Sequence, residues 1–217
     1  MKEIIVGYLL AFIITIISSL IYTTLGFNNL SNFINNYLIY ILLIYYITTI
    51  IYLYKKNNKK ETILSSEYYF PNILLGISIA TIYNMIIFKY NPPIISNQTP
   101  LFLLILSTGI IGPIFEEIIF RYIFYNRLKK KYKTKIAILI NSIIFSLIHI
   151  NPINMLYAFI LGIILNLSYE KYQHILAPIL IHISGNIMVL FLTTYNPIVL
   201  FLGLINLIIY VYLIKWR

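Results

Sequence analysis

Long apolar runs, each near the length of a bilayer-crossing helix and each ended by lysine, arginine or proline, dominate this chain of 217 residues. A spanning helix needs about 20 mostly apolar residues. On that measure there are eight candidates: about 4–22, 37–54, 70–88, 100–125, 136–150, 154–168, 174–194 and 197–214. Lys55, Lys56, Lys59 and Lys60 end the second, and Lys89 with Pro92-Pro93 ends the third. The fifth and sixth are short, and read as a helical hairpin or as partly re-entrant segments. The composition leaves little choice. Only 10% of residues are charged and 60% are hydrophobic, whereas a soluble domain carries about 25% charge. Disorder is excluded by the same numbers. The expected fold is all-α: a polytopic membrane protein with about eight helices in one bundle, residues 1–217 forming a single membrane domain. The first apolar run is too long for a secretory signal and lacks a small-residue cleavage site.

The net charge of +10 invites a nucleic-acid reading, but position argues otherwise. With the N-terminus inside, alternating loops put fourteen of the sixteen basic residues on the cytoplasmic side. Lys89 alone falls outside, and Arg121 lies within the fourth span. That asymmetry is the positive-inside pattern. It predicts a multi-pass protein with both termini in the cytoplasm, with anionic lipid as the partner of the basic loops and no nucleic acid. The biased, compact sequence with no organelle signal favours a prokaryotic cell membrane. Cysteine is absent, which removes disulfides, thiolate metal sites and a cysteine nucleophile.

Ionisable residues inside the spans are costly, about 2.5–3.5 kcal/mol each on insertion scales, and so are functional candidates. They are Glu116, Glu117, Arg121, His149 and His182, with Asn141, Asn154, Asn166 and Asn186 as neutral company. At 1.5 Å per residue, Glu117 lies about 15 Å from the cytoplasmic end of its helix, His182 about 16 Å and His149 about 21 Å. Similar depth on three helices predicts one polar cluster. Glu117 and Arg121 are four residues apart, in the favourable order for an ion pair on one helix face. Glu116 points about 100° away and is left free to act as a base. Gly112-Pro113 predicts a kink beside it. His182 and Asn186 also share a face. One Glu, two His and one Asn can activate a water and stabilise an oxyanion. Glu116, His149 and His182 could equally hold zinc, although no His-Glu-x-x-His helix is present.

Glu116-Glu117-Ile-Ile-Phe-Arg121, Phe145-Ser-Leu-Ile-His149 and His182-Ile-Ser-Gly-Asn186 read E-E-x-x-x-R, F-x-x-x-H and H-x-x-x-N. This ordered set resembles the CPBP intramembrane proteases, which include CAAX prenyl endopeptidases, bacteriocin-processing and immunity proteins, and abortive-infection proteins. The resemblance covers about 101–190. It implies an intramembrane endopeptidase in which Glu116 activates water with help from His149. His182 and Asn186 would form the oxyanion hole, while Glu117 and Arg121 would orient the helix. The substrate would be a membrane-associated peptide or protein, such as a leader peptide or a bacteriocin precursor; a prenylated one is compatible with the resemblance but is not implied by it. The family has been described both as metal-dependent and as glutamate-dependent without metal. The metal-free form is the expectation here, because the three zinc candidates sit on separate helices and the sequence offers no carboxylate behind either His. Two other readings stand beside it: a non-catalytic immunity or scaffold protein, and a transporter that carries protons on Glu116.

Overall fold

The computed structural model describes residues 43–52, 64–91, 100–149 and 151–215. The expected first span, 4–22, lies outside the described residues. Those described are 88% helical and contain no strand. We number their seven helices α1 (Leu43–Tyr52), α2 (Ser66–Tyr90, opening with one 3₁₀ turn), α3 (Leu101–Lys129), α4 (Thr134–Leu147), α5 (Pro152–Tyr172), α6 (Leu176–Phe191) and α7 (Pro197–Lys215). By length and composition α2, α3, α5 and α7 can each cross a membrane, while α1, α4 and α6 are shorter apolar helices.

One expectation is corrected. The sixth span is longer than its apolar run suggests: α5 has 21 residues and is long enough to cross a membrane. The sequence placed its start at about 154, but Asn151 caps it, accepting from the Ile153 and Asn154 N–H groups, with Pro152 in the first turn. That pairing suits a helix start, where proline's missing N–H costs nothing. At the far end Gln173 takes a left-handed conformation, φ 50°. His174 Nδ1 then accepts the Leu176 N–H where α6 opens.

Membrane helices gain little by burying apolar surface against each other, because lipid is equally apolar; close backbone approach and hydrogen bonds do the holding. Three contacts follow that rule. α2 lies on α6 at Gly76, where an added Cβ would stand 2.1 Å from the Ile181 carbonyl oxygen and 2.1 Å from Ser184 Oγ. α7 lies on α2 at Gly203, against Thr81. α4 lies on α5 at Gly162, against Ser142 and Phe145. The α4–α5 seam is tied by hydrogen bonds as well: Asn141 Nδ2 donates to Asn166 Oδ1 at 2.8 Å, and Asn166 Nδ2 donates to Ser142 Oγ at 3.1 Å. On α7 only Gly203 is buried. Its Ile198, Phe201, Ile208 and Tyr212 stand exposed, as suits a helix facing lipid.

α3 departs most from a regular helix. Residues Ile105–Ile111 and Ile118–Tyr125 are wound as π-helix, with a short α segment, Gly112–Glu117, between them. The expected proline kink is thus taken up as a wide turn inside a continuous helix. The Gly112 N–H bonds the Ser107 carbonyl, five residues back. A Cβ at 112 would lie 2.8 Å from that oxygen, so the wide turn needs glycine there. π-helix is rare and is found mostly at functional sites.

Candidate active site

The α segment between the two π stretches carries Glu116 and Glu117. Glu117 is fully buried. Its Oε1 accepts from Arg121 Nη1 at 2.7 Å and from His182 Nδ1 at 2.7 Å. The Glu117–Arg121 pair therefore forms as its spacing predicts, and α6 delivers His182 to the same oxygen. Arg121, equally buried, lays its guanidinium 4.4 Å from the centre of the Phe145 ring. A buried charge is tolerable only with such partners.

The second nitrogen of His182 faces the other carboxylate. Nε2 stands 3.8 Å from Glu116 Oε2, beyond hydrogen-bond length. Glu116 retains 20% side-chain exposure where Glu117 has none. The adjacent acids thus occupy different surroundings: one is locked in an ion pair, the other borders open space. His149 lies just past the end of α4. Its Nδ1 donates to the Phe145 carbonyl at 3.1 Å, which leaves Nε2 outside that bond. The Phe145 ring stands edge-on to both imidazoles, with centroids 5.2 Å from His149 and 5.9 Å from His182. Asn186 Nδ2 donates to the Thr108 carbonyl at 2.9 Å, within the first π stretch. An amide nitrogen carries two hydrogens, so one remains. All six residues singled out from the sequence come from α3, α6 and the end of α4.

Ser184 is no nucleophile in this geometry: its hydroxyl donates to the Ile181 carbonyl at 3.1 Å. For zinc, three donors would have to converge. Among the described residues no group of three or more His, Asp or Glu does so; Glu116, His149 and His182 as placed do not fit a three-ligand centre. One premise is nevertheless corrected. A carboxylate does stand behind His182, and it is Glu117. The sequence hid it, because 65 residues separate the two and helical spacing pairs Glu117 with Arg121 alone. Tyr46 was missed as well. It stacks on Phe115, the residue before Glu116, at 4.4 Å, and Tyr45 meets the same ring edge-on. Nothing in the sequence marks it among 21 tyrosines.

Residues 98–188 match the family of type II CAAX prenyl endopeptidases, Rce1-like. The chain is 30% identical over 152 residues to the membrane-embedded CAAX protease MroQ of Staphylococcus aureus (strain USA300), covering 60% of this chain and 61% of that protein. It is 36% identical over 87 residues to the "Putative membrane peptidase YdiL" of Bacillus subtilis (strain 168), covering 40% of this chain and 36% of the relative. The chain thus spans less than two thirds of either relative. No solved structure matches it. The resemblance read from the three motifs is borne out over the stretch that carries them.

Proposed function

We propose that this chain, similar to the type II CAAX prenyl endopeptidases over residues 98–188, is an intramembrane endopeptidase that cleaves a membrane-associated peptide with water activated by Glu116. Residues 1–217 would form one membrane domain with both termini in the cytoplasm, and about 101–190 would be its catalytic core. The observation that carries the reading is the unequal treatment of two adjacent carboxylates around one imidazole.

The chemistry follows from who holds which proton. His182 gives its Nδ1 hydrogen to Glu117, because a carboxylate only accepts. A neutral His182 then has a bare Nε2, which can accept from water but cannot donate to an oxyanion. Donation requires the imidazolium, and Glu117 supplies its counter-charge. With Glu116 and Glu117 ionised, Arg121 and a protonated His182 bring the group to zero net charge, although Glu116, partly exposed, does not depend on the pairing. In the reaction Glu116 takes a proton from water. The hydroxide attacks the scissile carbonyl, and His182 Nε2–H with the second Asn186 N–H holds the oxyanion. The C–N bond breaks as Glu116 returns the proton to the leaving amine. His149 Nε2 assists by holding the water or the substrate.

The substrate is a peptide or protein at the membrane, prenylated or bearing a leader. The test is the purified protein in lipid, offered prenylated and leader-bearing peptides with products read by mass spectrometry. Cleavage at one bond, absent in Glu116→Gln, supports a peptidase. Tight peptide binding with no cleavage, equal in both proteins, would favour an immunity or scaffold protein instead.

A further inference from the structure

The two π stretches that flank Glu116-Glu117 share a feature: an asparagine from a neighbouring helix donates to a main-chain carbonyl in each. Asn186 of α6 donates to Thr108 in the first, at 2.9 Å. Asn141 of α4, fully buried, donates to Phe120 in the second, at 2.9 Å. The first contact has a chemical reason. In the i to i+5 register, shown by the Gly112 N–H on Ser107, the next bond would run from residue 113 to Thr108. Residue 113 is proline and has no N–H. The Thr108 carbonyl is left without its helical donor, and a main-chain carbonyl within a membrane bundle needs another partner.

The register matters for the site. A switch from α to π admits one extra residue into a turn, worth about 100° of azimuth for everything beyond it. Glu116 lies three residues past Pro113, so the winding of Ile105–Ile111 decides which way it points relative to the rest of α3. We propose that Asn186 is a positioning residue for Glu116: its amide takes the place of the N–H that Pro113 lacks, and so holds the wide turn that aims the carboxylate at the His182 side. This adds to its donation to the oxyanion. One hydrogen serves Thr108, and the bond it makes fixes where the other points. The packing part of the inference stands without the peptidase reading, and the positioning part rests on it.

The test gives Thr108 a donor by another route. Pro113→Ala restores a main-chain N–H next to it. Unfolding midpoints in detergent are measured for the wild type, Asn186→Ala, Pro113→Ala and the double variant, which isolates the coupling between the two sites. Asn186→Ala is expected to lower the midpoint, and to lower it much less in the Pro113→Ala background. An equal loss in both backgrounds would overturn the replacement of one donor by the other. In a cleavage assay with a peptide that the wild type cuts, Pro113→Ala is expected to restore part of the kcat lost in Asn186→Ala, at unchanged KM. Recovery of stability with no recovery of kcat would overturn the positioning role and leave Asn186 a structural tie and oxyanion donor.

Discussion

Replacing Glu117 separates what it does for the fold from what it does for catalysis. The side chain is fully buried and one oxygen takes two charge-assisted hydrogen bonds of 2.7 Å. Glu117→Gln keeps the shape and an oxygen that can still accept both bonds, but it removes the negative charge and strands the Arg121 guanidinium without a counter-charge. Breaking a buried pair by removing one partner costs about 3–5 kcal/mol. For a chain of this size that is roughly 6–20 °C in unfolding midpoint, at about 2–4 °C per kcal/mol. Glu116→Gln, at a partly exposed site outside the ion pair, should change the midpoint little. The decisive variant is the double replacement Glu117→Leu with Arg121→Leu. Removing both charges for apolar groups is often close to neutral, so much of the stability should return. Turnover should not return, because His182 Nδ1 has lost its acceptor and the imidazolium its counter-charge. Thermal unfolding in detergent, with cleavage measured per folded molecule, reads both. A Glu117→Gln protein as stable as Glu116→Gln, or a double variant with wild-type turnover, would refute this division between the two acids.

Other replacements probe the frame around the site. Gly76→Ala brings a methyl within 2.1 Å of the Ile181 carbonyl, next to His182, and that backbone must move by about 1 Å to relieve it; overpacking of this kind costs about 1–3 kcal/mol. The expected result is a lower unfolding midpoint and lower turnover per folded molecule, measured together, whereas Gly203→Ala on lipid-facing α7 should affect stability alone. Asn141→Leu removes a donor shared by Phe120 and Asn166 and should destabilise the protein by about 1–3 kcal/mol through the acceptors left unpaired. Incubation with a chelator followed by metal analysis should find activity unchanged and no stoichiometric zinc; reversible inactivation, with zinc lost in both His149→Ala and His182→Ala, would replace the mechanism above with a metal-centred one.

Much of the site was legible because membrane burial is so costly for charge. In a chain with six acidic residues, a Glu pair and two His at similar depth within apolar runs pointed to one shared polar cluster. Helical spacing alone gave the Glu117–Arg121 contact. Depth counting suggested that His182 belonged to the same cluster, but not which atom it met. That contact depends on how α6 packs against its neighbours, and the close approach of Gly76 to Ile181 and Ser184 has no charged residue to announce it. The π stretches were hidden for a different reason. Their only sequence trace is Gly112-Pro113, a pair that signals a kink as readily as a wide turn. The length of α5 was underestimated because Glu170 and Lys171 end the apolar run near 168 although the helix continues to Tyr172; Asn166, inside the run, points into the α4–α5 seam.

The central claim, that Glu116 is the base, is tested most directly by the cleavage rate of Glu116→Gln. This variant keeps size and hydrogen-bonding capacity while removing the charge. The assay is single-turnover cleavage of a peptide cut by the wild type, in lipid, with folding checked by the unfolding midpoint. A base that abstracts the proton of water contributes at least about a hundredfold, so the rate should fall by that factor or more in a protein that unfolds where the wild type does. A folded Glu116→Gln protein that cleaves at a near wild-type rate would contradict the account.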